Sequence, residues 1–460
     1  MADRSLAASN MGVALGTLAS RVTGLLRLVV FAAVIGQTAL ADAFDVGNNA
    51  PNVVFELLLG GTLTAALVPL FVQHQQRNDR EATAAVFSAA LLGALVITVI
   101  AVLAAPLIFR VYALSPAGDA DAFYRVGTAL TRIFLIQIFF YALNALVAAL
   151  LNARDKFFAA AWAPVASNMV AIVALLAIWR AHTGGVVDLA DANVGSSIFW
   201  WFTLGPTLGI ALMAVVVLAA GVRSGAVPLP TLKLRNPAVR QILALSGWAI
   251  GYIAANQVAL VVVKNLAQPG SGQLDAYAKA MTIFQLPHGL LAVTIATTTT
   301  PLLARAVADH DAAAFDQRFT AGARTTVLLT LPCSFILFIF ATPIVRLLLG
   351  WGAFSDAAVT QTAEALAGLS MGLVGFSLYL FVLRGFYSHG DTRTPFFINL
   401  FENALNIVLA FALVDRYGVH GLGLAFAVAY LASAVVAVTV LRRKHGTPGL
   451  FGLLRARSPA

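Results

Sequence analysis

Ala89-Ala-Leu-Leu-Gly-Ala-Leu-Val-Ile-Thr-Val-Ile-Ala-Val-Leu-Ala-Ala-Pro-Leu-Ile-Phe109 carries no charged side chain and, as a helix, is long enough to cross the hydrocarbon of a bilayer. It sits in a mainly apolar window at 82–112. Eleven similar windows flank it, at 8–36, 39–73, 123–151, 159–181, 195–221, 236–265, 273–303, 318–349, 358–388, 395–414 and 419–441. Closed β-barrels also span membranes, but they read as short alternating strands, and no such alternation is present. The predicted class is an all-α polytopic membrane protein of about twelve transmembrane helices.

Composition agrees. Of 460 residues, 60% are apolar and 11% are charged, with a mean hydropathy of +0.88. A soluble domain this apolar could not cover its own surface. A net charge of +9 would suggest nucleic acid in a soluble protein; here cytoplasmic loops that retain Lys and Arg account for it, and no nucleic-acid partner is expected. The lone cysteine, Cys333, rules out an intrachain disulfide. The first apolar window is too long for a cleavable signal peptide and holds Arg21 and Arg27.

The connections alternate in charge. Those after even-numbered windows hold Arg77 and Arg80, Arg154 and Lys156, Arg223, Lys233 and Arg235, Arg305 and Arg393; the tail adds Arg442, Arg443, Lys444, Arg455 and Arg457. Connections after odd-numbered windows are short or poor in cations, as at Asp119 and Asp121. The positive-inside rule then places both termini in the cytoplasm, which requires an even number of spans.

The chain also repeats itself. Pro51 corresponds to Pro287, Pro69 to Pro301, Pro106 to Pro343 and Asp155 to Asp391, each at an offset near 236 residues. Two six-helix lobes related as parallel repeats follow, and such pairs place substrate in a central cavity between them. The expected division is an N-lobe at 1–221, a cytoplasmic linker at 222–236, a C-lobe at 237–441 and a basic cytoplasmic tail at 442–460.

Polar residues inside the windows are the functional candidates. A charge at the bilayer centre costs about 2.5–3.5 kcal/mol on insertion scales, so it faces a cavity or a partner. Arg21 and Arg27 lie mid-span; they either line the cavity or pair with carboxylates that hold the bundle together. In the second window Asp42, Asn49 and Glu56 recur every seven residues, with Asp45 and Asn52 beside them, so one helix face is polar. Pro51 kinks that helix within the stripe. Asp42 and Asp45 also fit a solvated helix end. Gln257 and Lys264 mark the seventh window, and Lys279, Thr282 and Gln285 precede Pro287 in the eighth. Lys264 and Lys279 either face the cavity or snorkel to an interface. Asn399, Glu402, Asn403 and Asn406 share a face in the eleventh window, as cavity lining or as interhelical hydrogen-bond glue.

A cavity with cations suits a phosphate-bearing substrate, because a guanidinium matches phosphate oxygens bidentately. The candidate substrate-binding set is Arg21, Arg27, Asp42, Asn49, Asn52, Glu56, Lys279 and Thr282; the candidate ion-coupling set is Asp42, Glu56 and Glu402. The seven histidines have no metal-ligand spacing, and His288 beside Pro287 reads as structural. Gly60-Gly61 is not a phosphate loop, since no Gly-Lys-Ser/Thr follows. No cofactor or metal is expected, and energy would come from a sodium or proton gradient or from the membrane potential. No paired acid and base suggests an enzyme.

Several segments resemble a known family. Ser20-Arg-Val-Thr-Gly-Leu-Leu-Arg27, Ala41-Asp-Ala-Phe44, Pro51-Asn52 and Leu67-Val-Pro-Leu70 are similar to the opening of the MurJ (MviN) family of lipid II flippases. Leu150-Leu-Asn-Ala-Arg-Asp-Lys-Phe157, Ala163-Pro164, Gln285-Leu-Pro-His-Gly289 and Gly385-Phe-Tyr-Ser-His-Gly-Asp-Thr-Arg-Thr-Pro395 continue the likeness in order, from about residue 10 to about residue 440. The resemblance implies a place in the multidrug/oligosaccharidyl-lipid/polysaccharide exporter superfamily. It also implies movement of the undecaprenyl-diphosphate-linked muropeptide lipid II from inner to outer leaflet by alternating access, in the bacterial cytoplasmic membrane. It implies that Arg21, Arg27 and Asp42 occupy the family's functional positions, the arginines toward the diphosphate and sugar. Lipid II, membrane lipids and cell-wall synthesis proteins are the partners it suggests. The chain departs from the family at Phe55 and Glu56, where many members carry two arginines, and at Thr282, where many carry one and Lys279 lies nearly a turn earlier. Family members commonly have fourteen spans, against twelve windows here.

Two other readings compete. One is a different exporter of the superfamily, a drug/cation antiporter or a flippase for another lipid-linked saccharide. The other is a non-transporting scaffold of wall synthesis, which would have no need of buried charges.

Overall fold

The computed structural model describes residues 2–56, 61–77, 79–182, 185–231 and 247–446. Lys233 and Arg235 of the expected linker, and Arg455 and Arg457 of the expected tail, lie outside the described residues. The described chain is helical, without a strand. Its helices are α1 (Ala2–Ile35), α2 (Ala39–Phe55), α3 (Gly61–Gln76), α4 (Arg80–Leu103), α5 (Ala105–Val111), α6 (Ala120–Leu135), α7 (Gln137–Asn152), α8 (Phe158–Ala181) and α9 (Ser197–Arg223). They continue as α10 (Gly247–Leu266), α11 (Gln273–Pro287), a π turn (His288–Ala292), α12 (Val293–Ala308), α13 (Ala312–Ile339), α14 (Ala341–Leu349), α15 (Asp356–Ser370), α16 (Leu373–Ser388) and α17 (Arg393–His445).

Local chemistry sets the boundaries. Asp79, Asp119, Ser196 and Asp311 each accept a hydrogen bond from the backbone N–H three residues on, at 2.8–3.1 Å, and so cap α4, α6, α9 and α13. Prolines fall inside α2, α8, α9 and α13, at Pro51, Pro164, Pro206 and Pro332.

Among the described residues, eight helices are long and apolar enough to cross a membrane, or nine if α15 and α16, bent by 48°, count as one span. The sequence windows number twelve. Part of the difference is physical: the window at 39–73 is crossed by residues 57–60, outside the described residues, and α17 holds two windows. Within α17, Gly418 has φ +53° and ψ −136°. Residues eight apart in a straight helix stand about 12 Å apart, yet a Cβ on Gly421 would lie 2.5 Å from the carbonyl oxygen of Leu413. The chain therefore doubles back at Gly418, between the two windows read there.

The chain forms two compact units. The first comprises Met1–Ile253 with Pro269–Gly272 and Leu349–Ser355. Its α1 lies along α8, and the approach is close: a Cβ on Gly16 would come within 2.6 Å of the Trp162 ring. Trp162 Nε1 donates to Gly12 O at 3.0 Å, and Asn168 Nδ2 donates to Thr23 Oγ1 at 3.0 Å, which fixes the register. Phe31, Phe44, Phe134 and Phe202 pack their rings together in the same unit, with centroids 4.8–6.0 Å apart. Trp179, Trp200 and Trp201 are exposed on either side of the 182–196 connection, as in an interfacial aromatic belt.

The second unit comprises Ala254–Gln268, Gln273–Leu348 and Asp356–Ala460. Here Phe284, Phe376, Phe426 and Tyr430 form the aromatic centre. The end of α17 is tied to the α16–α17 connection. Lys444 Nζ lies 3.0 Å from Asp391 Oδ2 and 2.6 Å from Thr394 Oγ1, and the Thr394 N–H donates to Asp391 Oδ1 at 2.9 Å. Burial works to raise the Asp391 carboxyl, but the Thr394 hydroxyl and amide and the Lys444 ammonium together hold it below its ordinary value.

Candidate functional site

In the first unit, α1 presents Arg21 and Arg27 with exposed side chains. The alternative of an ion pair finds no carboxylate for either among the described residues. Arg27 instead sits within electrostatic reach of the Tyr141 phenol on α7, and that phenol lies within reach of the Asn52 side chain on α2. Three helices thus meet around one guanidinium. Tyr141 was not among the sequence candidates, because a tyrosine in an apolar run reads as packing.

The α2 stripe is real but heterogeneous. Asn49 Nδ2 turns back along its own helix, donating to Asp45 O at 2.8 Å and Asp45 Oδ1 at 2.7 Å. Glu56 is exposed at the end of the stripe. Asp42 is fully buried, which removes the solvated-end reading for it. Its Oδ2 accepts hydrogen bonds from the backbone N–H groups of Gly270 and Gly272, both at 2.8 Å. Those glycines have φ +92° and +84°, so the loop at 269–272 turns both amides toward one oxygen. Asp42 therefore anchors a loop.

In the second unit, Lys279 is buried and ion-paired with Asp275 one turn earlier on α11, so it does not snorkel. Asp275 escaped the sequence reading, although its spacing of four from Lys279 was visible. Thr282 and Gln285 are exposed on the same helix. The His288 ring, in the π turn, meets Ser377 Oγ on α16 at 3.0 Å, in keeping with a structural role.

The polar face of α17 is buried. Asn256 Oδ1 on α10 accepts from Asn399 Nδ2 and Asn403 Nδ2, each at 2.9 Å. That is interhelical hydrogen bonding, as one of the two readings expects. Glu402 is different. It is 1% exposed, and its Oε2 has no hydrogen-bond partner among the described residues; the same holds for Asn399 Oδ1 and Asn406 Oδ1. Three acceptor oxygens without a donor lie along one helix face.

A model of the family described as "Lipid II flippase MurJ" matches residues 31–455. The chain belongs to the MurJ family. The lipid II flippase MurJ of Burkholderia cenocepacia is 30% identical over 433 residues, covering 93% of this chain and 82% of that one. The "Probable lipid II flippase MurJ" of Rhizobium meliloti is 30% identical over 437 residues, covering 93% and 79%. Among solved structures, a lipid II flippase MurJ in an inward closed conformation superposes with a TM-score of 0.77 at 22% identity, over 96% of this chain and 89% of that one. An inward-facing MATE family multidrug transporter of the MOP superfamily gives 0.72 at 14% identity, over 93% and 94%. The family and the fold are those the sequence motifs implied, in a multi-pass membrane protein.

Proposed function

We propose that this chain moves lipid II from the inner to the outer leaflet of the bacterial cytoplasmic membrane by alternating access, with both termini cytoplasmic. The observation that carries the reading is the family match, which runs through both compact units. Twelve spans in two lobes, joined through 222–236, belong to the same proposal, as does transport without an enzymatic step. Arg27 and Arg21 supply the cationic contact for the diphosphate. Asn52 and Tyr141 hold polar groups beside Arg27, with Asn49 and Glu56 further along α2. Asp42 contributes by fixing the loop next to this stripe.

Coupling to a proton or sodium gradient is assigned to Glu402. A buried carboxylate with an unpartnered oxygen is costly until a proton or a cation neutralises it. Asn399 and Asn406 offer further oxygens on the same face, the ligand chemistry of a hard cation. Cell-wall synthesis proteins are the natural neighbours of such a flippase.

The test is lipid II translocation in cells depleted of their own flippase and supplied with this chain, read as lipid II open to a headgroup-cleaving enzyme acting from outside. Accessibility should return with the native chain and fall at least about tenfold with Arg27→Ala, the loss expected when a charged hydrogen-bonding group is removed. Stable insertion without any return of accessibility would refute the lipid II reading. Transport that Arg27→Ala leaves untouched would refute the role of Arg27.

A further inference from the structure

The helix running through α11 and α12 carries more polarity than the candidate set uses. Thr282 and Gln285 are exposed before the π turn, and Thr294, Thr297 and Thr298 are exposed after it. An unbroken α-helix would put these two groups on different faces. A π turn takes one extra residue, which resets the faces by about 100°. With the π turn at His288–Ala292, Thr294 and Thr297 fall back into line with Thr282 and Gln285, and all five side chains are uncovered together. The turn is held from behind, where His288 Nδ1 meets Ser377 Oγ at 3.0 Å. Such turns recur at functional sites because they re-aim side chains.

Threonines alone would sit quietly against lipid, since each hydroxyl donates to its own helix: Thr294 to Leu290 O at 2.8 Å, Thr297 to Thr294 O at 2.9 Å and Thr298 to Thr294 O at 3.0 Å. Gln285 decides otherwise. Its exposed amide makes no hydrogen bond among the described residues, and an amide left bare in hydrocarbon costs several kcal/mol. The face therefore meets water or a polar ligand. With their protons committed to the backbone, the threonine oxygens are left as acceptors, a surface suited to ligand O–H and N–H donors and neutral toward phosphate.

We infer that Gln285, Thr294, Thr297 and Thr298 extend Thr282 into a second, uncharged binding track that takes the sugar hydroxyls and peptide amides of the lipid-linked headgroup, separate from the arginines of α1. This rests on the lipid II reading and names the part of the substrate that the track holds.

The test compares binding of lipid II and of undecaprenyl diphosphate, which lacks sugar and peptide, to the purified full chain in detergent. The variants are the triple substitution Thr294→Val, Thr297→Val, Thr298→Val and its serine counterpart, each checked for native melting. The native chain should prefer lipid II. The valine variant should lose about tenfold of lipid II affinity, the worth of two or three neutral hydrogen bonds, and keep its affinity for undecaprenyl diphosphate; serine should restore the preference. A native chain without preference, or a valine variant with an unchanged ratio, overturns the inference. A preference that behaves as expected in a chain that moves no lipid II in cells would sink the flippase reading and leave the track standing.

Discussion

Asp42 and Glu402 are both carboxylates on membrane helices, and both are buried, at 0% and 1% exposure. The first unit surrounds its carboxylate with two backbone amides at 2.8 Å. The second unit leaves an oxygen of its carboxylate without a donor, beside two asparagine oxygens in the same condition. Burial is the same and satisfaction is opposite. A satisfied buried charge is part of the scaffold, whereas an unsatisfied one marks a place where something has to bind. The sequence placed both in the candidate ion-coupling set, and Asp42 in the substrate-binding set as well.

The contrast can be broken most directly at Asp42. Asp42→Ala leaves the N–H groups of Gly270 and Gly272 without their acceptor, and hydrogen bonds to a charged acceptor are worth about 1.5–3 kcal/mol each. The expected loss is about 3–5 kcal/mol, read as lower yield and an earlier thermal transition in detergent, with Asp42→Asn milder. A variant melting like the native chain would show that the loop does not depend on this carboxylate. Next in size is Asn256→Ala, which strips Asn399 and Asn403 of their shared acceptor and should cost about 1–3 kcal/mol in the same measurement. No change there would mean that the asparagine ladder of α17 is not holding α10.

Glu402→Gln should change stability by less than about 1 kcal/mol, since it removes a buried charge of which one oxygen, Oε2, has no donor among the described residues. It should also abolish the dependence of transport on the driving ion, measured as translocation with and without an imposed gradient. A collapse as large as that of Asp42→Ala would erase the distinction between the two carboxylates.

The smallest effect lies at Asp391, a carboxylate that is both satisfied and near water. Its folded value lies below its ordinary one, so its contribution is present above the ordinary carboxylate range and is lost as pH falls through the folded value. Lys444 is half exposed, which limits the contribution to about 0.5 kcal/mol. Native chain and Asp391→Asn should differ slightly in melting at about pH 6 and converge below about pH 3. A gap that widens on acidification would reverse the sign.

Hydropathy made the helical membrane class legible. The motif at Ser20–Arg27 and those downstream made the family legible. What stayed hidden had partners far away in sequence. The donors to Asp42 lie more than 200 residues downstream, in a loop that composition marks only as Pro-Gly-Ser-Gly. Tyr141 is read by Asn52 and Arg27 from two other helices. The π turn had no local signature that separates it from a helix kinked at Pro287. The buried pairing of Lys279 is the exception, because Asp275 stood in view at helical spacing. There the snorkelling argument was simply weaker than the ion pair.

The reversal at Gly418 has a practical side. Two helices joined through so few residues, with Gly421 under Leu413, leave no loop to cut, lengthen or label. Reporter tags, epitopes and protease sites would have to go elsewhere, and the irregular segment at 185–196 offers them room. Any natural insertion in relatives of this chain should spare the Gly418 corner for the same reason.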